Sequence, residues 1–160
     1  MLYRNDFDLS TITAAVVVMS DRVLSGERPN GAGEACRDRL LAEGLGDVSL
    51  SVVPELAQSL DEELRAAVTA GRRLRRNNDA PEVLRGLVEV ELPGVAELIR
   101  AHGAEHSPLA PLSREVVGVT GKEADAALLI CSPGSKGGMS DTLDVLVPLL
   151  RHVYIQLAES

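Results

Sequence analysis

The stretch TAAVVVMSDRVLSGERPNGAG, Thr13–Gly33, decides the fold. Its first part, Thr13 to Ser20, is a continuous run of small and β-branched apolar residues, without the alternation of a strand that keeps one wet face. Such a run reads as a strand covered on both sides, which means a central strand of a parallel sheet. Its second part, Ser20 to Gly33, carries Gly26, Gly31 and Gly33 and leads into a helical pattern. In open α/β folds that junction is the carboxyl edge of the sheet, where glycines let backbone N–H groups approach an anion at a helix N-terminus. The spacing matches neither G-x-G-x-x-G nor G-x-x-x-x-G-K-[ST], so a phosphate loop and a plain connection both stand.

Working outward, Ala32 to Glu43 reads as a helix stopped by Gly44, and Val48, Leu50 and Val52 alternate with Ser49 and Ser51 as in a half-buried strand. Ser59 and Glu62 have capping-box spacing ahead of a helix that runs to Gly71. Pro81 suits the first turn of a further helix capped by Asp79 and broken at Pro93-Gly94, and helical spacing resumes from Val95 to Ala101. The runs EVVGV (115–119) and AALLIC (126–131) predict a hairpin, and Ser140 predicts the cap of a terminal amphipathic helix that Pro148 kinks. The expected architecture is a three-layer α/β/α sandwich with a mostly parallel sheet and a C-terminal hairpin.

At 160 residues the chain is the size of one domain, and its 45% hydrophobic content with only 2% aromatic residues calls for an aliphatic core. The formal net charge of −8 opposes sequence-independent binding to nucleic acid, which needs a basic face. The opening MLYRNDFDLSTI is too polar for a signal peptide, and no run reaches the roughly 18 apolar residues of a membrane span. Cys36 and Cys131 form no C-x-x-C and lie in apolar surroundings, so two reduced buried thiols and a cytoplasmic location are expected, with no membrane partner.

SPGSKGGMS (132–140) repeats the strand–loop–helix arrangement at the last junction, and its glycines with Ser135 and Lys136 suit a nest of anion-binding donors or simple turns. His102 and His106 stand four apart near a helix end, but without the H-E-x-x-H form they read as solvated histidines.

Taken together these motifs resemble the MogA/MoaB molybdopterin-binding proteins of molybdenum cofactor biosynthesis. The resemblance rests on VVVMSDRVLSGERPNGAG, VVPE (52–55), ELPGVAELIR (91–100), LSREVVGV (112–119) and LLICSPGSKGG (128–138) leading into LVPLLRH, in the family's order over nearly the whole chain. It implies an N-terminal extension, 1–12, before a single molybdopterin-binding domain, 13–160, that assembles as a homotrimer. It further implies binding of molybdopterin by its terminal phosphate and transfer of AMP to that phosphate from Mg-ATP, with release of pyrophosphate. Carried over by position, Ser20, Asp21, Ser25 and Gly26 match the first loop and Pro133, Gly134 and Ser135 the last, with Lys136 beside them. Asp21 and Glu55 are then the magnesium ligands, and Glu55 and Asp79 the catalytic acids. Arg114 matches the arginine of the L-S-R motif, where a structural salt bridge is an equal reading.

One segment departs from the pattern. Where the family has an apolar strand, a T-x-G-G-T-G loop and R-D-x-T-P-E, this chain runs VTAG, RRLRRN, NDAPE, so strand and glycine loop are both missing. Asn78 stands at the family's aspartate with Asp79 one place later, Glu55 replaces an aspartate, and Asn30 stands where an acid is usual. An amide does not replace a carboxylate's charge on a metal. The cluster Arg72, Arg73, Arg75 and Arg76 reads either as an attractor of ATP phosphates or as a solvated segment after a helix C-terminus. Three functions therefore compete: an adenylyltransferase, a catalytically silent pterin-binding or assembly protein of the same fold, and, more remotely, a general nucleotide or phosphate binder.

Overall fold

The computed structural model describes residues 7–69, 75–76 and 80–159. β1 (Thr13–Met19) lies inside a six-stranded sheet of order β2-β1-β3-β6-β5-β4. The other strands are β2 (Asp47–Val53), β3 (Arg75–Arg76), β4 (Val90–Glu91), β5 (Val116–Val119) and β6 (Leu128–Cys131). β2, β1, β3 and β6 are mutually parallel, whereas β5 pairs antiparallel with both β6 and β4. The mostly parallel sheet with a closing hairpin is therefore as expected.

The period of two in β1 divides the core. Ala14, Val16 and Val18 face one apolar layer, with Cys36 and Leu40 of helix α2 (Gly31–Ala42), Ile99 of α5 (Pro93–Ala104) and Leu143 and Leu146 of α6 (Lys136–Ala158). Ala15, Val17 and Met19 face the other, with Leu60 and Leu64 of α3 (Ala57–Thr69) and Leu84 of α4 (Ala80–Arg85). A strand apolar on both faces is thus explained by helices on both faces. β2 lies at the edge of the sheet, which accounts for its serines.

Several sequence-based expectations need correction. Ser59 does not cap α3, which already starts at Ala57. The helix after Pro81 ends at Arg85 rather than at Pro93, and Pro93 opens α5, where its fixed φ and missing N–H suit the first turn. Ser140 is inside α6; the cap is Ser135, whose Oγ accepts the Gly138 N–H at 3.0 Å. Capping needs an oxygen on the residue before the first turn, and Ser135 has it as soon as β6 releases the chain. α6 continues through Pro148 to Ala158. Gly44, at φ +99°, does end α2.

The strand inferred to be missing is present in reduced form. Arg75 and Arg76 pair in parallel with Val17 and Val18 of β1, and Arg75 pairs with Cys131 of β6, so two residues bridge the middle of the sheet. Asp79, its proposed capping role, Asn78 and the rest of the glycine-loop question lie outside the described residues.

Candidate functional site

The first loop is not irregular throughout. It opens with one short helix, α1 (Asp21–Leu24), whose N-cap Ser20 accepts the Val23 N–H at 3.3 Å. Asp21 Oδ1 accepts the Glu55 backbone N–H at 3.2 Å, so the ends of β1 and β2 are tied together and Asp21 and Glu55 become neighbours. Ser25 donates its hydroxyl to the Arg22 carbonyl, and Gly26 takes φ +78°, where a side chain would be strained. These two residues shape the turn and line neither of the two clefts described next.

A larger cleft of 460 Å³ is bordered by Pro133, Gly134, Ser135, Arg100, Arg114 and Asp141, with Glu115 among its other walls. A smaller one of 300 Å³ is bordered by Ser20, Arg22, Arg28, Asn30, Glu55 and Lys136. The two loops therefore meet at one edge of the sheet. The contact is close: a Cβ built on Gly31 would sit 2.8 Å from Lys136 Cε, so glycine there leaves the lysine its path. Consecutive residues of the last loop open onto different clefts, Ser135 onto the larger and Lys136 onto the smaller. Between them starts the 23-residue α6, whose free N–H groups and positive dipole end favour an anion.

Arg114 donates to Glu82 Oε1 at 2.6 Å, the salt bridge anticipated as one of its two readings; both side chains are more than half exposed, so the pair adds little stability. Arg100 donates from Nη1 to the Glu115 carbonyl at 3.4 Å and brings a second positive charge to the larger cleft. Cys36 and Cys131 are buried as expected and neither is in a disulfide, and burial pushes the Cys36 thiol up to about 12, leaving it unreactive.

Sequence reasoning missed Glu115, which it took only as the start of a strand. Its side chain is buried beneath the larger cleft at 5% exposure, with Thr142 Oγ1 2.7 Å from its Oε1 and Ser132 Oγ 3.1 Å from Thr142 Oγ1. Desolvation raises its pKa to about 7, against the lowering effects of the Thr142 hydrogen bond and Arg100. The hydrogen-bond count agrees. Thr142 has one hydroxyl proton but also faces the Gly138 carbonyl at 2.9 Å, and a protonated Glu115 satisfies both by donating to Thr142 while Thr142 donates to Gly138.

Fold and site together define an α/β domain with two adjoining clefts at the carboxyl ends of its parallel strands. Residues 15–152 match the family model described as "Probable molybdopterin binding domain". The chain belongs to that family, with proteins of the MogA/MoaB type as its structural neighbours. It is 30% identical over 157 residues to the molybdenum cofactor biosynthesis bifunctional protein of Chlorobaculum tepidum, covering 89% of this chain and 47% of that protein. It thus spans about half the length of this curated relative. Among solved structures, a molybdenum cofactor biosynthesis protein of Corynebacterium diphtheriae superposes with TM-score 0.80 at 30% identity, covering 92% of this chain and 98% of that one. The molybdopterin biosynthesis Mog protein of Mycobacterium ulcerans gives 0.81 at 29%, covering 92% and 99%. Among the described residues no helix is long and apolar enough to cross a membrane.

Proposed function

We propose that the protein binds molybdopterin through its terminal phosphate and adenylylates it from Mg-ATP. The observation that carries this reading is that Ser135 and Lys136, at the head of α6, open onto two adjoining clefts, and the reading assigns one to each substrate. The pterin phosphate would accept from the N–H groups of the first turn and from the Ser135 hydroxyl, whose proton stays available because its oxygen is the acceptor in the cap. Arg100 and Arg114 would add positive charge on that side. In the smaller cleft Arg22, Arg28 and Lys136 suit ATP phosphates, and Glu55 on its wall, with Asp21 bonded to the Glu55 N–H but bordering neither cleft, would supply the carboxylates for magnesium. Pterin phosphate oxygen then attacks the α-phosphorus, an oxygen–phosphorus bond forms, and pyrophosphate leaves with the electron pair of the broken bond.

The test is pyrophosphate release by purified protein with molybdopterin, ATP and magnesium, alongside pterin titration. Release above the protein-free rate is expected. Pterin binding without release would support the silent binder instead, a reading favoured by the R-R-L-R-R-N segment where the family carries its glycine loop.

Ser135→Ala is expected to weaken pterin binding by about 1 kcal/mol and to lower folding stability by a similar amount, because one oxygen serves both the ligand and the helix cap. Ser135→Asp separates these roles. It keeps the cap and should preserve the melting temperature, while its charge repels phosphate and abolishes pterin binding in the same titration.

Homotrimeric assembly belongs to the same proposal. Leu98, Leu109 and Leu112, all following Pro93, are 52%, 68% and 76% exposed, and an interface would bury them. Light scattering is expected to give the mass of three chains, with Leu112→Asp shifting it toward one; a monomeric wild type at micromolar concentration removes the claim.

A further inference from the structure

Two histidines that read from the sequence as solvated acquire a partner from another helix. α5 reaches its C-terminus at Ala104, and the Glu105 and His106 N–H groups bond back to the His102 and Gly103 carbonyls. The last turn therefore carries on far enough to put His106 on the side of the helix that His102 occupies, their rings edge to face with centroids 5.4 Å apart. α6 crosses there and brings Asp141, whose Oδ1 is 3.4 Å from His106 Nδ1. One potential ligand atom from each of His102, His106 and Asp141 lies within 4.8 Å of the others.

We infer that His102, His106 and Asp141 form a binding site for a borderline transition-metal dication, zinc being the type ion, at the rim of the larger cleft. Two imidazoles and one carboxylate are a donor set that zinc accepts and that magnesium or calcium, which prefer all-oxygen shells, does not. With bonds of about 2.0–2.1 Å, a tetrahedral zinc ion holds its ligand atoms roughly 3.4 Å apart. The His106–Asp141 separation already has that value, and all three ligand atoms lie within 4.8 Å of one another.

The residue between the histidines makes the approach feasible. A Cβ on Gly103 would stand 3.2 Å from Asp141 Oδ2, so glycine at that position lets the carboxylate of α6 approach this turn closely. The carbonyl end of α5 adds a partial negative charge, which favours a cation. One turn further along α6, Asp144 Oδ2 lies 3.4 Å from His102 Nε2. Arg39 Nη2 holds the other oxygen of that carboxylate, Oδ1, at 2.5 Å. Asp144 is thus tethered as the acceptor that orients His102 rather than as a ligand. Three protein ligands leave a fourth position open, and Gly103 and Asp141 both border the larger cleft, so a bound ion would offer that position beside it. The site's existence is independent of whether the clefts turn over ATP.

The experiment is titration of zinc alone into metal-free full-length protein at neutral pH, in competition with a chromophoric chelator, repeated with magnesium. One zinc per chain is expected, with no comparable uptake of magnesium. His106→Ala and Asp141→Asn should each weaken zinc binding at least tenfold, and cobalt in place of zinc should give the intense visible bands of a four-coordinate ion that these variants lose. Circular dichroism of each variant checks that it folds. Uptake below one ion per chain in the wild type, or zinc affinity unchanged in folded His106→Ala and Asp141→Asn, overturns the site and leaves the cluster as histidine–aspartate ion pairs.

Discussion

Between pH 5 and pH 8 the protein is expected to lose about 2–3 kcal/mol of folding stability through Glu115 alone. The carboxyl has an ordinary pKa of 4.5, which the unfolded chain would show, and is raised to about 7 in the fold by desolvation. The folded state therefore binds a proton that the unfolded state has already released, and stability falls as pH rises from about 4.5 to about 7. Below that window the slope reverses: Asp144, whose carboxyl Arg39 holds low, contributes stability that is present above 3.8 and lost as pH falls through its folded value. Urea midpoints measured from pH 5 to 8 should decline. Glu115→Gln keeps the shape and can still donate to Thr142, yet has no charge to desolvate, so its midpoint should stay nearly flat and exceed that of the wild type at pH 8. A wild-type midpoint that holds constant over this range, or a Gln variant that declines as steeply, would show that Glu115 is not the group responsible.

What was legible in the sequence was whatever a single segment could state. The Thr13–Ser20 run declared two covered faces, and the structure supplies a helical layer against each, with Val16 and Val17 on opposite sides. The two glycine-bearing loops followed from the strands that precede them, because parallel strands point their carboxyl ends the same way. The terminal helix's cap was misplaced: Ser140 precedes the apolar helical spacing, but the end of β6 lets α6 start earlier, capped by Ser135. Arg75 and Arg76 give no strand signal, since their place in the sheet comes from the pairing of β1 and β6 on either side. Sites assembled from distant segments were illegible for the same reason. Glu115 meets Thr142 from 27 residues away, and Asp141 reaches His106 from another helix.

On the proposed mechanism, Glu55→Gln should cut pyrophosphate release on the order of 100-fold, or about 2.7 kcal/mol of transition-state stabilisation, with pterin binding nearly intact. Glu55 borders the smaller cleft alongside Arg22, Arg28 and Lys136, and its backbone N–H is already bonded to Asp21 Oδ1. The Asp21 side chain thus registers the two acids, and a change in the Glu55 side chain alters its carboxylate without touching that bond. Phosphoryl and nucleotidyl transfer depend on positioning and on compensating developing charge, so an amide that keeps the shape of Glu55 but removes its charge should weaken the hold on magnesium and leave the α-phosphate poorly aligned. On the same proposal the pterin contacts would fall to Ser135, Gly134 and the head of α6, on the other side of the loop, where no charge changes. Asp21→Asn should follow the same pattern and keep the Glu55 N–H bond, because an amide oxygen still accepts it. The decisive readout is the split between the two measurements in one preparation. Release unchanged in Glu55→Gln would remove it from metal binding, and pterin affinity falling in step with release would mean that the two clefts are not separate subsites.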